Sequence, residues 1–230
     1  QIRQMLDPER NPKMGITAHG KVVTLSVLAK AEAGRSAESI LEETAAALAS
    51  ALGPLLLGRN QDTLESVVVA ALASCGQTLA LAESCTGGQL AQAITSVPGA
   101  SQVFTHGWVT YADAAKISLL DVSTDLIQEH GAVSAVVAEE MAAGARARSK
   151  ADWALSVTGI AGPGGGTVEK PMGLVWMALA GPDGVRSVRR QQWTRAGRAG
   201  IQQGAVRDGL DLLRRELLSL PSLDSTPSTP

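Results

Sequence analysis

From about residue 62 onward, short apolar runs alternate with longer segments whose apolar positions recur every three or four residues. The runs predict strands and the periodic segments predict helices. The predicted strands cover 78–82, 104–110, 153–158, 173–180 and 185–193. The predicted helices cover 62–74, 87–96, 112–120, 123–129, 134–148 and 198–219, the first of them starting at a capping-box motif, Asp62-Thr-Leu-Glu65. This alternation is typical of a three-layer α/β/α sandwich with a mixed sheet, in which sites lie at the carboxyl ends of strands.

The first 60 residues predict a separate small α+β unit. Two β-rich runs, 14–19 and 21–29, are separated by a glycine and indicate a hairpin. An amphipathic helix follows over 36–52 and ends at a Gly-Pro pair. We expect Leu55 to Leu57 to form a short buried strand after it, which makes the unit β-β-α-β.

These patterns predict the domain boundaries. We assign residues 1–60 to the small domain and 61–220 to the main domain. The segment 221–230 is rich in serine, threonine and proline, so we expect a disordered tail there. The chain begins at Gln1 inside a charged, helix-like segment, and we expect it to be a fragment of a longer protein.

The composition argues against several classes of function. The 230 residues include 20 lysines and arginines against 22 aspartates and glutamates, and residues 1–60 show no basic stripe, so nucleic-acid binding is not expected. No apolar run reaches the roughly 18 residues that cross a bilayer, so we expect no membrane association. The 2 cysteines and 3 isolated histidines show neither a disulfide framework nor metal-ligand spacing. We therefore expect no metal and a cytoplasmic location.

The candidate chemistry begins at a Ser/Thr/Gly turn over residues 82–88, between a predicted strand and a predicted helix. Such a turn exposes a hydroxyl and directs unpaired backbone N–H groups at a ligand, which together suit acyl transfer. Ser84 is the candidate nucleophile, and Cys85 is expected to be a small buried side chain. The competing interpretation is that the turn only caps the helix, a role that we assign to Thr86. The candidate oxyanion donors are the N–H groups of Thr86, Gly87 and Gly88.

A second segment places a phenol and an amine near one strand end. Tyr111 closes a predicted strand, and Lys116 lies about one turn into the following helix. A buried lysine loses its charge readily and then acts as a base, as in Ser-Lys pairs. The alternative is a surface lysine that pairs with Asp113 three residues earlier.

A glycine-rich loop and a late arginine complete the candidate set. The loop over 162–166 follows an apolar strand that ends near Thr158, and it suits close backbone approach to an anion such as phosphate. Gly164 and Gly165 are the candidate contacts in it. Arg198 opens the final helix, where a phosphate would meet both a guanidinium group and a helix N-terminus. We interpret the other clustered arginines as a solvated strand face: Arg186, Arg189, Arg190 and Arg195.

Four motifs in this order resemble the CinA C-terminal family over about residues 62–218. They are Ala82-Glu-Ser-Cys-Thr-Gly-Gly88, Tyr111-x4-Lys116, Gly131-Ala-Val-Ser134 and Val157-Thr-Gly-Ile-Ala-Gly-Pro-Gly-Gly-Gly166. The first 60 residues resemble the KH-like domain that precedes this domain in full-length members. The family's N-terminal molybdopterin-binding-like domain is not recognised here, so we do not expect the ADP-ribose hydrolysis associated with it.

The resemblance implies a nicotinamide mononucleotide deamidase without a cofactor. It implies that Ser84 is the nucleophile, that Lys116 and Tyr111 activate it, and that Thr158 and Arg198 line the site. Two positions depart from the family pattern, which usually has Asn at the position of Asp113 and Asp at that of Gly197. A carboxylate at 113 that faced Lys116 would stabilise the ammonium form and weaken the base.

The family also suggests partners and leaves two alternatives open. By family association we expect a homodimer and consider the recombination protein RecA as a partner. The first alternative is a binding module without enzymatic activity that serves in DNA uptake or recombination. The second is a Ser-Lys amidase with the same catalytic residues and a different amide substrate.

Overall fold

The computed structural model describes residues 10–19, 22–193 and 197–219. Residues 1–56 and 57–230 form two compact units. The disordered tail predicted over 221–230 lies outside the described residues, and so does Arg195. The side chains of Arg186 and Arg189 are also outside this description, so the predicted solvated arginine face stays a prediction.

The first unit is an antiparallel hairpin followed by one long helix. Strand β1 (Lys13–His19) pairs with β2 (Val22–Leu28) along their full length. Helix α1 (Ala37–Leu52) begins after Ser36, whose hydroxyl accepts a hydrogen bond from the Ser39 N–H at 3.1 Å. The buried face of α1 carries Ile40, Thr44 and Leu48.

The prediction of a short buried strand at Leu55 to Leu57 is wrong. Gly53–Leu55 form a 3-10 turn directly after α1, and the Leu55 side chain is 64% exposed. Pro54 fixes its own φ in the helical range and has no N–H to donate, so it suits a tight turn better than a strand ladder. The described part of the unit is therefore β-β-α, and its KH-like character stays a prediction.

The second unit contains the predicted alternation of strands and helices. Its strands are β3 (Leu79–Glu83), β4 (Phe104–Val109), β5 (Trp153–Gly159), β6 (Leu174–Gly181) and β7 (Gly184–Gln192). Its helices are α2 (Leu64–Ser74), α3 (Gln89–Thr95), α4 (Asp113–Leu120), α5 (Thr124–His130), α6 (Ala135–Ser149) and α7 (Arg198–Leu217). Each lies within two residues of its predicted ends.

The capping box of α2 lies one residue later than the motif suggested. Thr63 is the N-cap, and its hydroxyl accepts from the Ser66 N–H at 3.2 Å. The Ser66 hydroxyl accepts in return from the Thr63 N–H at 2.9 Å. The Asp62 carboxylate instead accepts from the Arg59 N–H at 2.8 Å, before the helix begins.

The five strands form a mixed sheet in the order β4-β3-β5-β6-β7. Strand β3 lies parallel to both β4 and β5, while β6 runs antiparallel to β5 and to β7. The carboxyl ends of β3, β4 and β5 therefore meet at one edge of the sheet. That edge collects the turns that follow Glu83, Val109 and Gly159.

Helices cover both faces of this sheet, which confirms the predicted three-layer α/β/α sandwich. Alternate side chains of β3 belong to different cores, because neighbouring residues on a strand face opposite sides. Leu79 and Leu81 pack with residues of α2, α3 and α7. Ala80 and Ala82 pack with residues of α4 and α6. A strand buried on both faces is a continuous apolar run, which is why 78–82 was readable in the sequence.

The approach of α4 to α6 depends on a glycine. A Cβ atom at Gly144 would lie 1.8 Å from the Leu120 carbonyl oxygen at the end of α4. The missing side chain lets α6 contact that carbonyl, and so it helps to place α4 over the sheet edge.

The described ranges, 10–19, 22–193 and 197–219, lack two features that would indicate other classes of protein. They contain no helix that combines the length and apolar character of a membrane span. They also contain no group of three or more histidine, cysteine, aspartate or glutamate side chains arranged to hold a metal ion.

Candidate active site

The turn after β3 places the Ser84 side chain at the sheet edge. The Ser84 N–H still donates to the Val157 carbonyl on β5 at 2.9 Å, so Ser84 extends the strand by one residue. The chain then turns sharply, because Gly87 and Gly88 adopt φ values of 63° and 96°, which side chains rarely tolerate. Ser84 is 8% exposed, and its hydroxyl therefore lies at the edge of the protein interior.

Lys116 reaches Ser84 from α4, on the side of the sheet that α6 covers. Its Nζ lies 3.4 Å from Ser84 Oγ and 2.8 Å from the Thr110 carbonyl oxygen. The side chain is 1% exposed. Burial lowers the pKa of the Lys116 ammonium group below its ordinary value. Chain topology thus brings together a hydroxyl and an amine that are 32 residues apart in sequence.

Asp113 opposes this effect of burial. Its carboxylate lies 3.8 Å from Lys116 Nζ, and its charge acts to raise the pKa of Lys116. The Asp113 side chain is 57% exposed, so water screens much of that attraction. The alternative of a surface lysine is wrong, because Lys116 is buried, although the pairing with Asp113 that it included is present. Burial decides the direction, since desolvation is the larger of the two influences.

Tyr111 does not join the Ser84–Lys116 pair as expected. Its side chain is 58% exposed, and its hydroxyl accepts a hydrogen bond from Arg198 Nη2 at 2.9 Å. In the described parts of the chain, no hydrogen bond links that hydroxyl to Ser84 or Lys116. Tyr111 lies before the first residue of α4 with its ring exposed at the rim of the site, whereas the Lys116 side chain, inside α4, is buried. The geometry couples Tyr111 to Arg198.

Arg198 also binds the glycine-rich loop. Its Nη1 donates to the Gly162 carbonyl at 2.7 Å, so one guanidinium group joins the loop to Tyr111. Gly164 and Gly165 are exposed beside this contact, and Gly165 has a φ of 83°. A Cβ at Gly164 would meet no atom within 4 Å, so packing does not explain the glycine there. The rim is therefore an open, cationic surface with accessible backbone.

The Thr158 hydroxyl is engaged within the protein. It donates to the Ala132 carbonyl at 2.8 Å, and the residue is 1% exposed. Thr158 lies on β5 with its side chain on the α6 side of the sheet, where it holds the loop between α5 and α6. In this structure Thr158 anchors that loop, and its place in the lining of the site stays a prediction.

The expected donors after Ser84 also need correction. The Gly87 N–H donates to the Ser84 carbonyl at 3.1 Å, and the Gly88 N–H donates to the Glu83 carboxylate at 3.0 Å. Thr86 does not cap α3: the N-cap position is Gly88, and no partner is found for the buried Thr86 hydroxyl among the described residues. Glu83, which the sequence interpretation overlooked, supplies the cap.

The neighbouring thiol is not a competing nucleophile. Cys85 is 3% exposed and packs in the core on the opposite side of the sheet from Lys116. Burial raises the pKa of its thiol to about 12, so the reactive thiolate is scarce at neutral pH. Its carbonyl accepts from Gln202 Nε2 of α7 at 2.8 Å, a contact that no sequence motif signalled.

The CinA C-terminal domain family matches residues 61–217 of the chain. Among curated proteins, a CinA-like protein of Parasynechococcus marenigrum is 46% identical over 209 residues, which are 91% of this chain and 50% of that protein. A CinA-like protein of Desulfovibrio desulfuricans is 44% identical over 212 residues, which are 92% of this chain and 50% of that protein. The chain spans about half the length of the curated relatives it matches.

Solved structures of the same superfamily also match the chain. The competence/damage inducible protein CihA of Agrobacterium tumefaciens is 38% identical with a TM-score of 0.65, covering 70% of this chain and 99% of that one. A competence-damaged protein (CinA) superfamily protein of Klebsiella pneumoniae is 33% identical with a TM-score of 0.66, again covering 70% and 99%.

Proposed function

The chain belongs to the CinA C-terminal domain family, and from this premise we propose that it hydrolyses the carboxamide of nicotinamide mononucleotide to nicotinate mononucleotide and ammonia. The observation that carries the proposal is the buried Lys116 amine, 3.4 Å from the Ser84 hydroxyl. A hydroxyl beside a desolvated lysine is a recognised substitute for a Ser-His pair in amide hydrolysis.

The reaction would proceed through an acyl-enzyme. Neutral Lys116 takes the Ser84 proton while Ser84 Oγ bonds to the carboxamide carbon, and the carbonyl oxygen becomes an oxyanion. Lys116 then returns the proton to the departing nitrogen, which leaves as ammonia. Water, deprotonated by the same amine, attacks the acyl carbon; the bond from that carbon to Ser84 Oγ breaks, Lys116 returns the proton to Ser84 Oγ, and nicotinic acid mononucleotide leaves as its carboxylate after losing its proton to solvent. No step needs a metal or cofactor.

The rim would hold the 5′-phosphate of the nucleotide. Arg198 offers a guanidinium group between the Tyr111 hydroxyl and the Gly162 carbonyl. It is also the first residue of α7, a helix of 20 residues whose N-cap, Gly197, makes no side-chain cap bond. A phosphate there would meet both the guanidinium group and the positive end of the helix.

The proposal is tested by substituting the nucleophile. Ser84→Ala should lower ammonia release from nicotinamide mononucleotide by at least about 1000-fold, because no other described hydroxyl replaces it beside Lys116. The matched control is Ser96→Ala, which removes an exposed hydroxyl that, among the described residues, donates to the Ala93 carbonyl at the end of α3. A Ser84→Ala variant that releases ammonia at the rate of the unmodified chain would refute the assignment of Ser84 as the nucleophile.

A further inference from the structure

Glu83 is a buried carboxylate that the proposed reaction does not use. It is the last residue of β3, directly before Ser84, and it is 1% exposed. Its oxygens accept hydrogen bonds from the N–H groups of Gly88 at 3.0 Å, Leu90 at 3.0 Å and Ala91 at 2.8 Å. A buried carboxylate is costly unless it is fully hydrogen-bonded, and these three donors at a helix start provide that compensation.

The backbone of the same residue holds the other wall of the site. The Glu83 carbonyl accepts from the Thr110 N–H at 2.8 Å, and the Thr110 hydroxyl lies 3.4 Å from it. The Thr110 carbonyl in turn accepts from Lys116 Nζ at 2.8 Å. Glu83 therefore bonds to the start of α3 through its side chain and to Thr110, which holds Lys116, through its main chain. Ser84 is the next residue in the chain, so both sets of contacts restrain its position.

These contacts determine which amides remain available to a substrate oxygen. The N–H groups of Gly87, Gly88 and Gln89 bond within the turn and to Glu83. Among the described residues, those of Cys85 and Thr86 donate to no other residue. The Cys85 N–H faces only its own thiol, a weak acceptor. Two successive amides that bond to no other described residue, beside a nucleophile, form the arrangement that stabilises an oxyanion.

The orientation of one of these amides follows from α7. The Cys85 carbonyl accepts from Gln202, which approaches from the α7 side of the sheet. In a trans peptide the next N–H points opposite to the carbonyl, so the Thr86 N–H faces away from α7. That is the side from which Lys116 reaches Ser84. The Thr86 hydroxyl, for which the described residues offer no partner, is buried in the same turn.

We infer that Glu83 is a positioning residue that caps α3 from within the strand and thereby reserves the Cys85 and Thr86 amides for the oxyanion. The inference rests on the proposed function, since an oxyanion forms only if Ser84 attacks a carbonyl. Glu83 acts through the turn and touches no reacting atom. It differs from an ordinary helix cap because it lies in the preceding strand and fixes the nucleophile's own backbone.

The test is Glu83→Gln, which keeps the size of the side chain but replaces one carboxylate oxygen by an NH₂ group. At least one backbone N–H that donates to the carboxylate in the unmodified chain then faces another donor. Hydrogen exchange at Gly88, Leu90 and Ala91 should accelerate by about tenfold or more. The kcat for ammonia release should fall by about 100-fold, while KM stays within about threefold, since the phosphate contacts are elsewhere. The matched control, Glu65→Gln, removes the same charge from the first turn of α2 and should keep the kcat and the exchange pattern unchanged.

Each outcome decides the inference. Unchanged hydrogen exchange in Glu83→Gln overturns it, whether or not the chain releases ammonia. Accelerated exchange with the kcat of the unmodified chain also overturns it, because the turn then needs no positioning. An inactive unmodified chain would overturn the proposed function instead, and hydrogen exchange would still decide whether Glu83 holds the turn.

Two further variants keep the test decisive. If Glu83→Gln does not fold, Glu83→Asp retains the charge on a side chain that is one methylene shorter. We expect an intermediate loss of about tenfold in kcat, and an unchanged kcat overturns the inference.

Replacement of Thr86 by its α-hydroxy acid removes its amide N–H and keeps its side chain, while the Cys85 carbonyl that accepts from Gln202 becomes a weaker ester acceptor. Gln202→Ala, which removes that contact and keeps the Thr86 amide, is the control. The Thr86 replacement should lower kcat by about 100-fold at nearly constant KM, and a normal kcat would remove that amide from the oxyanion site.

Discussion

Substitution of Asp113 by Asn tests whether Lys116 is the base. Lys116 must be neutral to accept a proton, so activity should rise with pH through the pKa of its amine. The Asp113 carboxylate acts to raise that pKa, and Asp113→Asn removes its charge while keeping the shape of the side chain. We therefore expect the acid limb of the pH–rate profile to move to lower pH.

The magnitude follows from the separation of 3.8 Å between the two charged groups and the 57% exposure of Asp113. Because that side chain is largely solvated, the appropriate dielectric constant approaches that of water, and Coulomb's law gives about 1 kcal/mol. This corresponds to a displacement of somewhat under one pH unit. At a pH below the limb, the variant should be about fivefold faster than the unmodified chain.

The assay is kcat/KM for ammonia release from nicotinamide mononucleotide over about pH 5 to 10. Asp125→Asn, at an exposed first-turn aspartate of α5, is the matched control and should leave the profile in place. The difference between Asp113→Asn and the unmodified chain should also shrink in about 1 M salt, since exposed charges are screened. An acid limb that stays in place, or that moves to higher pH, would refute the assignment of Lys116 as the base.

Two other predictions address the rim and the fold. Arg198→Ala should raise KM for nicotinamide mononucleotide by about 10- to 100-fold, which corresponds to the loss of one charge-assisted hydrogen bond, and should raise KM for the phosphate-free riboside far less. Arg207→Ala on the same helix is the control. Equal effects of Arg198→Ala on both substrates would remove Arg198 from the phosphate site. Gly144→Ala should lower the free energy of unfolding, measured in urea, by about 1 to 3 kcal/mol despite the better helix propensity of alanine, because its Cβ would meet the Leu120 carbonyl. The exposed neighbour provides the comparison: Ala143→Gly should cost about 1 kcal/mol from propensity alone, and a stabilised Gly144→Ala variant would contradict the close contact.

Local signals in the sequence were sufficient for the elements of the second unit. Apolar strands such as 78–82 and amphipathic helices such as α7 differ in period, and that difference depends only on neighbouring residues. The small unit was less readable. Leu55 to Leu57 is an apolar triplet that resembles a buried strand, yet the preceding Gly-Pro pair produces a 3-10 turn with Leu55 exposed.

The candidate site shows the same division. Residue type and position after a strand were enough to select Ser84, Lys116 and Arg198 as candidates, and the structure brings the first two into contact. The sequence could not reveal that the Thr158 hydroxyl donates to the Ala132 carbonyl, because the two residues are 26 positions apart. It also could not show that Tyr111 pairs with Arg198, 87 residues away.

The sequence by itself determined the α/β class, the order of elements and the residue types available for the proposed amide hydrolysis. These depend on side-chain period, turn chemistry and the inherent reactivity of each group. Tertiary structure alone decided whether Lys116 is buried, how strongly Asp113 opposes that burial, and which amides Glu83 leaves free. Such properties arise from desolvation and hydrogen bonds between distant segments, and they exist only once β3, β4 and β5 end at the same edge of the sheet.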